Sequence, residues 1–152
     1  MTRGALALCL LAALAGCASV PEATPAHDAE AKRFETRAGA AAVYVFRNDF
    51  ASTARLEDSV LYVDGRLVGA TLPGTFFRID VMPGVRELHG YGYDAGSLKI
   101  RAREGEAHFV ALNVVAGTSR FTPVAPAPAQ LEIERCCVLM ENWTTGQRPL
   151  LQ

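Results

Sequence analysis

Few side chains in this sequence have the types and spacing that chemistry needs, and the adjacent pair Cys136-Cys137 is the first of them. A thiolate is a nucleophile and a metal ligand, so paired cysteines suggest redox or metal chemistry. On a strand, however, adjacent side chains point to opposite faces, so the two thiols would not converge on one ion. Adjacent Cα atoms also lie about 3.8 Å apart, closer than the roughly 4.4 Å at which disulfides usually begin. The expectation is one cysteine in the core and one near the surface, with a vicinal disulfide, a metal site and an intermolecular bridge as alternatives. His89, Tyr91 and Tyr93 form a second group, on one face of a strand with Gly90 and Gly92 opposite. They read either as an aromatic patch for a glycan or peptide strand, or as sandwich packing with polar tips at the rim. His27, His89 and His108 lack metal-ligand spacing, the carboxylates are scattered singly, and no serine sits in a Gly-x-Ser-x-Gly setting. No catalytic residue, metal or cofactor is therefore assigned, and the chain is not expected to be an enzyme.

Cys17 carries a different chemistry. It ends the run Leu14-Ala15-Gly16-Cys17, after a segment with one charge, Arg3, and an apolar stretch from Ala5 to Leu14. A basic start, a short apolar middle and a small-residue end are the three parts of a secretory signal. The stretch is well short of the roughly 20 residues that span a bilayer. Ala13, Ala15 and Ala18 would also fit an ordinary small-x-small cleavage site. A cysteine directly after Leu-Ala-Gly instead resembles a bacterial lipobox, in which the thiol takes a diacylglyceryl group and becomes the new N-terminus. Acyl chains contribute roughly 0.8 kcal/mol per buried methylene, and two or more of them anchor stably. With Ala18 following the cysteine, the resemblance points to an outer-membrane lipoprotein facing the periplasm.

Composition narrows the partners. Beyond residue 16 lie all 16 acidic and 14 of the 15 basic residues, a net charge of −2. Without a basic stripe to neutralise phosphates, nucleic acid is not an expected partner, and no polybasic segment supplements the acyl chains at the membrane. Cys9 leaves with the signal, so only Cys136 and Cys137 would remain as thiols in an oxidising compartment.

These residues must be positioned by the elements that follow. Residues 1–16 read as a lipoprotein signal peptide and 17–39 as the lipidated cysteine with a flexible tether, including a short helix over Ala29–Arg37. The part of the tether after the cysteine would reach at most about 70 Å. From residue 40 to 152 the hydrophobic period is two. Strands are expected around Val43–Phe46, Val60–Val63, Arg66–Gly69, Thr75–Val81, Val85–Tyr93, Ser97–Arg103 and Ala107–Val115. Asp64-Gly65 should form a tight hairpin turn. Thr122–Gln130 (TPVAPAPAQ) reads as a solvated Pro/Ala loop, Leu131–Met140 as a long strand with a bulge near Arg135, and Arg148–Leu151 as a last edge. The fold class is all-β, an antiparallel sandwich with no helix beyond the tether.

Val63-Asp64-Gly65, Val68-Gly69, Phe76-Phe77, Met82-Pro83-Gly84 and the later Gly105-Glu106-Ala107-His108-Phe109-Val110 together resemble domain-of-unknown-function family 2846. Members of that family are mostly small bacterial envelope proteins, many of them lipoproteins. The resemblance covers Ala41 to Met140 and implies an Ig-like or prealbumin-like sandwich. Its motifs are turns and strands, so it brings no catalytic residues. The function expected is a lipid-anchored, non-catalytic binding or accessory module with an envelope protein or the cell wall as partner. The alternative is a periplasmic enzyme or thiol-redox protein using Cys136 and Cys137.

Overall fold

The computed structural model describes residues 22–48, 59–90 and 96–141. In chain order the elements are α1 (Pro25–Ala31), β1 (Ala41–Arg47), β2 (Ser59–Val63), β3 (Arg66–Thr71), β4 (Thr75–Val81), β5 (Gly84–His89), β6 (Ser97–Ala102), β7 (Ala107–Val115), β8 (Thr118–Val124), α2 (Pro126–Cys136) and β9 (Val138–Leu139). They build an all-β sandwich of two sheets, ordered β8-β7-β1-β4-β9 and β3-β2-β5-β6. Most pairs are antiparallel, but β1 runs parallel to β7 and β4 parallel to β9.

Two turns show how local sequence sets the register. Asp64 and Gly65 both take positive φ, 50° and 75°, as a tight hairpin turn between β2 and β3 requires. Asp64 then stitches this turn to β5, because its carboxylate accepts from the Glu87 amide at 2.8 Å and from Arg86 Nη1 at 2.9 Å. Ala116 and Gly117, with φ of 50° and 73°, make the equivalent turn between β7 and β8.

β1 and β4 are buried along their whole length, so both faces of the larger sheet are covered. One face supplies Val43, Val45, Phe77, Ile79, Val110 and Leu112, which pack against Leu61, Val63 and Leu88 of the smaller sheet. The other supplies Tyr44, Phe46, Phe76 and Phe109, which pack under Ala31, Ala129, Ile133 and Cys137. Two helices thus form a third layer, and the expectation of no helix beyond the tether is corrected.

That correction has a physical cause. Thr122–Gln130 is not a solvated loop: β8 continues to Val124 and α2 begins at Pro126. Pro123 is tolerated because β8 is an edge strand. Pro126 and Pro128 fall in the first turn of α2, where the missing amides would have no helical partner anyway. Leu131–Met140 is likewise helix up to Cys136, followed by the two-residue β9. Its buried positions are Ala129, Ile133 and Cys137, spaced by four, while Leu131 is 47% exposed. No bulge at Arg135 is needed.

The segment read as a free tether also packs on the sandwich from Glu22 onward. Its helix is Pro25–Ala31, not Ala29–Arg37, capped by Thr24, whose side chain accepts from the His27 amide. Tyr44 donates its hydroxyl to the Ala31 carbonyl at 3.0 Å. The Phe34 ring lies edge-on to Tyr44 and Phe109 at 5.3 and 5.7 Å. Beneath the segment Arg78 pairs with the buried Asp80 at 3.3 Å and donates to the Glu35 carbonyl at 2.9 Å. The sequence reading passed over this docking because the buried residues, Ala23 and Ala31, are small.

A clasp joins this N-terminal segment to the last strand. Glu22 bridges Met140, and the Ala23 amide donates to the Leu139 carbonyl at 2.9 Å. The Leu139 amide donates in turn to Asp28 Oδ1 at 2.8 Å. His27 Nδ1 lies 2.7 Å from Glu141 Oε1. Residues 22–23 thereby cover the β9 edge that would otherwise be open for pairing.

Candidate functional site

The aromatic group predicted around His89 belongs to the outer face of the four-stranded sheet. Along β2, Leu61 and Val63 point into the core, so the pleat turns Tyr62 outward. A register shift between Leu61 and Tyr62 sets Tyr62 opposite Leu67 rather than Val68. On its other side Tyr62 pairs with His89, which pairs with Ser97. Leu67, Tyr62, His89 and Ser97 therefore form one row across all four strands.

The rings of Tyr62 and His89 stack at 4.9 Å with their planes 2° apart. His89 Nδ1 lies 2.9 Å from the Gly90 carbonyl. A carbonyl can only accept, so Nδ1 carries the proton and the neutral ring keeps Nε2 as an acceptor. Leu67 ends the row at 63% exposed, and Val85 on the same face is 57% exposed. Glu87 stands beside Lys99, and Val85 beside Arg101. This face offers a ring stack, apolar contact area and flanking charges, a combination suited to binding. Tyr91 and Tyr93 lie outside the described residues. Tyr62 was missed at first, although the alternation in Val60-Leu61-Tyr62-Val63 already turns it outward.

Cys136 and Cys137 are not on a strand. Cys136 ends α2 and Cys137 is its C-cap, with an amide that donates to the Ile133 carbonyl at 3.1 Å. The chain bends from helix to extended backbone between them, and the two are joined by a disulfide. The vicinal disulfide, given as an alternative, thus replaces the expected pair of separate thiols; within it Cys137 is buried and Cys136 half-buried. The argument from opposite strand faces does not apply, because it assumed a strand. Cys137 Sγ lies 3.7 Å from the Arg47 carbonyl oxygen.

The histidines stay dispersed. His27 belongs to the clasp, and His108 lies at the rim between the sheets, on the same face of β7 as Val110 and Leu112. Burial lowers the His108 pKa below its ordinary value, with Arg103 adding to the effect and Glu106 opposing it. Its Nε2 is buried without a hydrogen-bond partner, 3.8 Å from Glu106 Oε2. Among the described residues no group of three or more His, Cys, Asp or Glu could hold a metal ion, and no helix is long and apolar enough to cross a membrane. Cys17 lies outside the described residues.

The chain is similar to an uncharacterized protein of Haemophilus influenzae, with 27% identity over 99 residues, covering 64% of this chain and 58% of that protein. The chain thus spans a little over half the length of the curated relative it matches. No protein family's sequence model matches the chain, and neither does any solved structure.

Proposed function

We propose that this is a lipid-anchored envelope protein whose sandwich is a non-catalytic binding or accessory module. In this reading Cys17 is acylated, the domain faces the periplasm from the outer membrane, and the contact surface is the outer face of the four-stranded sheet. The stack of Tyr62 on His89 beside the exposed Leu67 is the observation that carries it. Contiguous exposed apolar patches mark interaction sites far more often than apolar residues scattered singly over a surface. The resemblance to domain-of-unknown-function family 2846 belongs to the same proposal.

Docking of the N-terminal segment changes what an anchor at Cys17 would do. From Cys17 to Glu22 the chain spans at most about 17 Å, far less than a free tether to residue 39. The domain would work close to the headgroups.

The test is a photo-crosslinking amino acid placed at position 67 in growing cells, with position 131 on α2 as control. Adducts with an envelope protein or cell-wall material are expected from position 67 only. Equal adducts from both positions, or none from position 67, would reject this surface.

The Cys136–Cys137 disulfide favours a second reading, a thiol-redox protein of the envelope. It requires turnover of a dithiol or disulfide substrate by the purified chain, and a chain with no such turnover is not a redox enzyme.

A further inference from the structure

We propose that the Cys136–Cys137 disulfide is an exchange site for a dithiol, and that it locks the clasp between the N-terminal segment and β9. Cys137 directly precedes β9, the strand that the clasp holds. The disulfide ties the last residue of α2 to the first extended residue after it, so it fixes the direction in which β9 leaves the helix. Without that bond, the junction keeps the Cys137 amide bond to Ile133, the Val138 amide bond to Gly74 at 3.0 Å and the burial of Cys137 as its local restraints. Leu139 and Met140 are the two residues of this stretch that meet the N-terminal segment through their backbones. A change of direction at Cys137 bears first on the Val138 bond to Gly74 and then on the contacts of Glu22, Ala23 and Asp28 with the residues beyond it.

Both oxidation states have a place in the structure. Cys136 is half-buried, so its sulfur is the one a dithiol reaches first. A thiolate of the dithiol attacks Cys136 Sγ, the Cys136–Cys137 bond breaks, and Cys137 leaves as a thiolate that takes up a proton. The second thiol of the dithiol then attacks the mixed disulfide and releases Cys136 as a thiol. Two electrons and two protons pass to the pair, and the dithiol ends as a disulfide. The reduced Cys137 thiol finds an acceptor already in position, since the Arg47 carbonyl oxygen lies 3.7 Å from its sulfur. A disulfide sulfur has no proton to donate there; the carbonyl already accepts from the Gly74 amide at 2.8 Å, and its second lone pair can accept from the reduced thiol.

Opening of the clasp releases the chain up to Ala31, which Tyr44 still holds. If Cys17 is lipidated, the reach from the anchor to the first docked residue then grows from about 17 Å at Glu22 to about 46 Å at Ala31. Only this consequence rests on the lipid-anchor reading; the lock itself does not.

The test is amide hydrogen exchange on the full chain before and after a dithiol reductant, with both thiols verified by mass. Reduction should speed exchange at Ala23 and Leu139, whose amides make the clasp bonds, by about tenfold or more, as expected when a local unit loses a restraint. Val45 and Val110 should remain among the slowest amides, showing that the sandwich stays folded. Cys136→Ser keeps the buried thiol of Cys137 and should exchange at the reduced rate with or without reductant. Unchanged exchange after verified reduction, a disulfide that the dithiol cannot open in the folded chain, or a Cys136→Ser variant that exchanges like the oxidised protein would each overturn the proposal. Acylation of Cys17 plays no part in these readouts, so their outcome is separate from that of the anchor.

Discussion

Replacing Asp28 by alanine should loosen the clasp at its strongest polar contact. Asp28 Oδ1 accepts from the Leu139 amide at 2.8 Å, and Oδ2 lies 2.8 Å from Lys32 Nζ one helical turn on. A hydrogen bond to a charged group contributes about 1.5–3 kcal/mol. The helical ion pair, with both side chains about one-fifth exposed, adds about 0.3–0.5 kcal/mol. A loss of about 2 kcal/mol corresponds to roughly thirtyfold faster exchange of the Leu139 amide. Asp28→Asn keeps an acceptor oxygen and loses only the charge, so its effect should be smaller. Residue-resolved hydrogen exchange by NMR reads both variants directly. If Leu139 exchanges at the wild-type rate in Asp28→Ala, the clasp does not hold the last strand and the reasoning fails.

Two further perturbations test other parts of the structure. Ile133→Ala should cost about 2–5 kcal/mol in urea unfolding, because a fully buried side chain is truncated, whereas the exposed Leu131→Ala should stay within about 0.5 kcal/mol; equal costs would restore the strand reading, which puts both residues on one face. Because burial lowers the folded pKa of His108, the unfolded chain binds the proton more tightly. Stability should therefore fall as pH drops through the unfolded histidine value of about 6.5 and level off below the lowered folded value. His108→Gln should flatten that part of the profile in thermal melts from pH 8 to 5, and an unaltered slope would remove His108 as its source.

The strands were legible where the sequence kept a strict period of two between strong turn signals. Thr75–Val81, stopped by Pro83-Gly84, and Ala107–Val115 both match the expected bounds. The third layer was not legible. Leu131 and Ile133 alternate with Glu132 and Glu134, which satisfies a strand, while the helical stripe at Ala129, Ile133 and Cys137 includes an alanine and a cysteine that hydropathy hardly marks. Pro126 and Pro128, which cannot donate to a strand ladder and so suggest a loop, stand where a helix begins. The N-terminal segment misled for a similar reason, since it docks through alanines, one aromatic ring and backbone hydrogen bonds.

The candidate site was partly legible. His89 faces outward, which its spacing leaves open, and its stacking partner Tyr62 comes from a strand that meets it only through sheet order. A Cys136–Cys137 disulfide is only an alternative from sequence, because adjacent Cα atoms lie closer than disulfides usually need, yet the two cysteines are joined with Cα atoms 3.7 Å apart.

Acylation at Cys17 is the central claim, because it decides where this domain works. Mass spectrometry of the N-terminal peptide from detergent-extracted protein tests it most directly. The account predicts a mature chain that begins at Cys17 and carries the mass of diacylglycerol on its sulfur. A peptide that begins at Ala18 or later, or one in which Cys17 is unmodified, would contradict it.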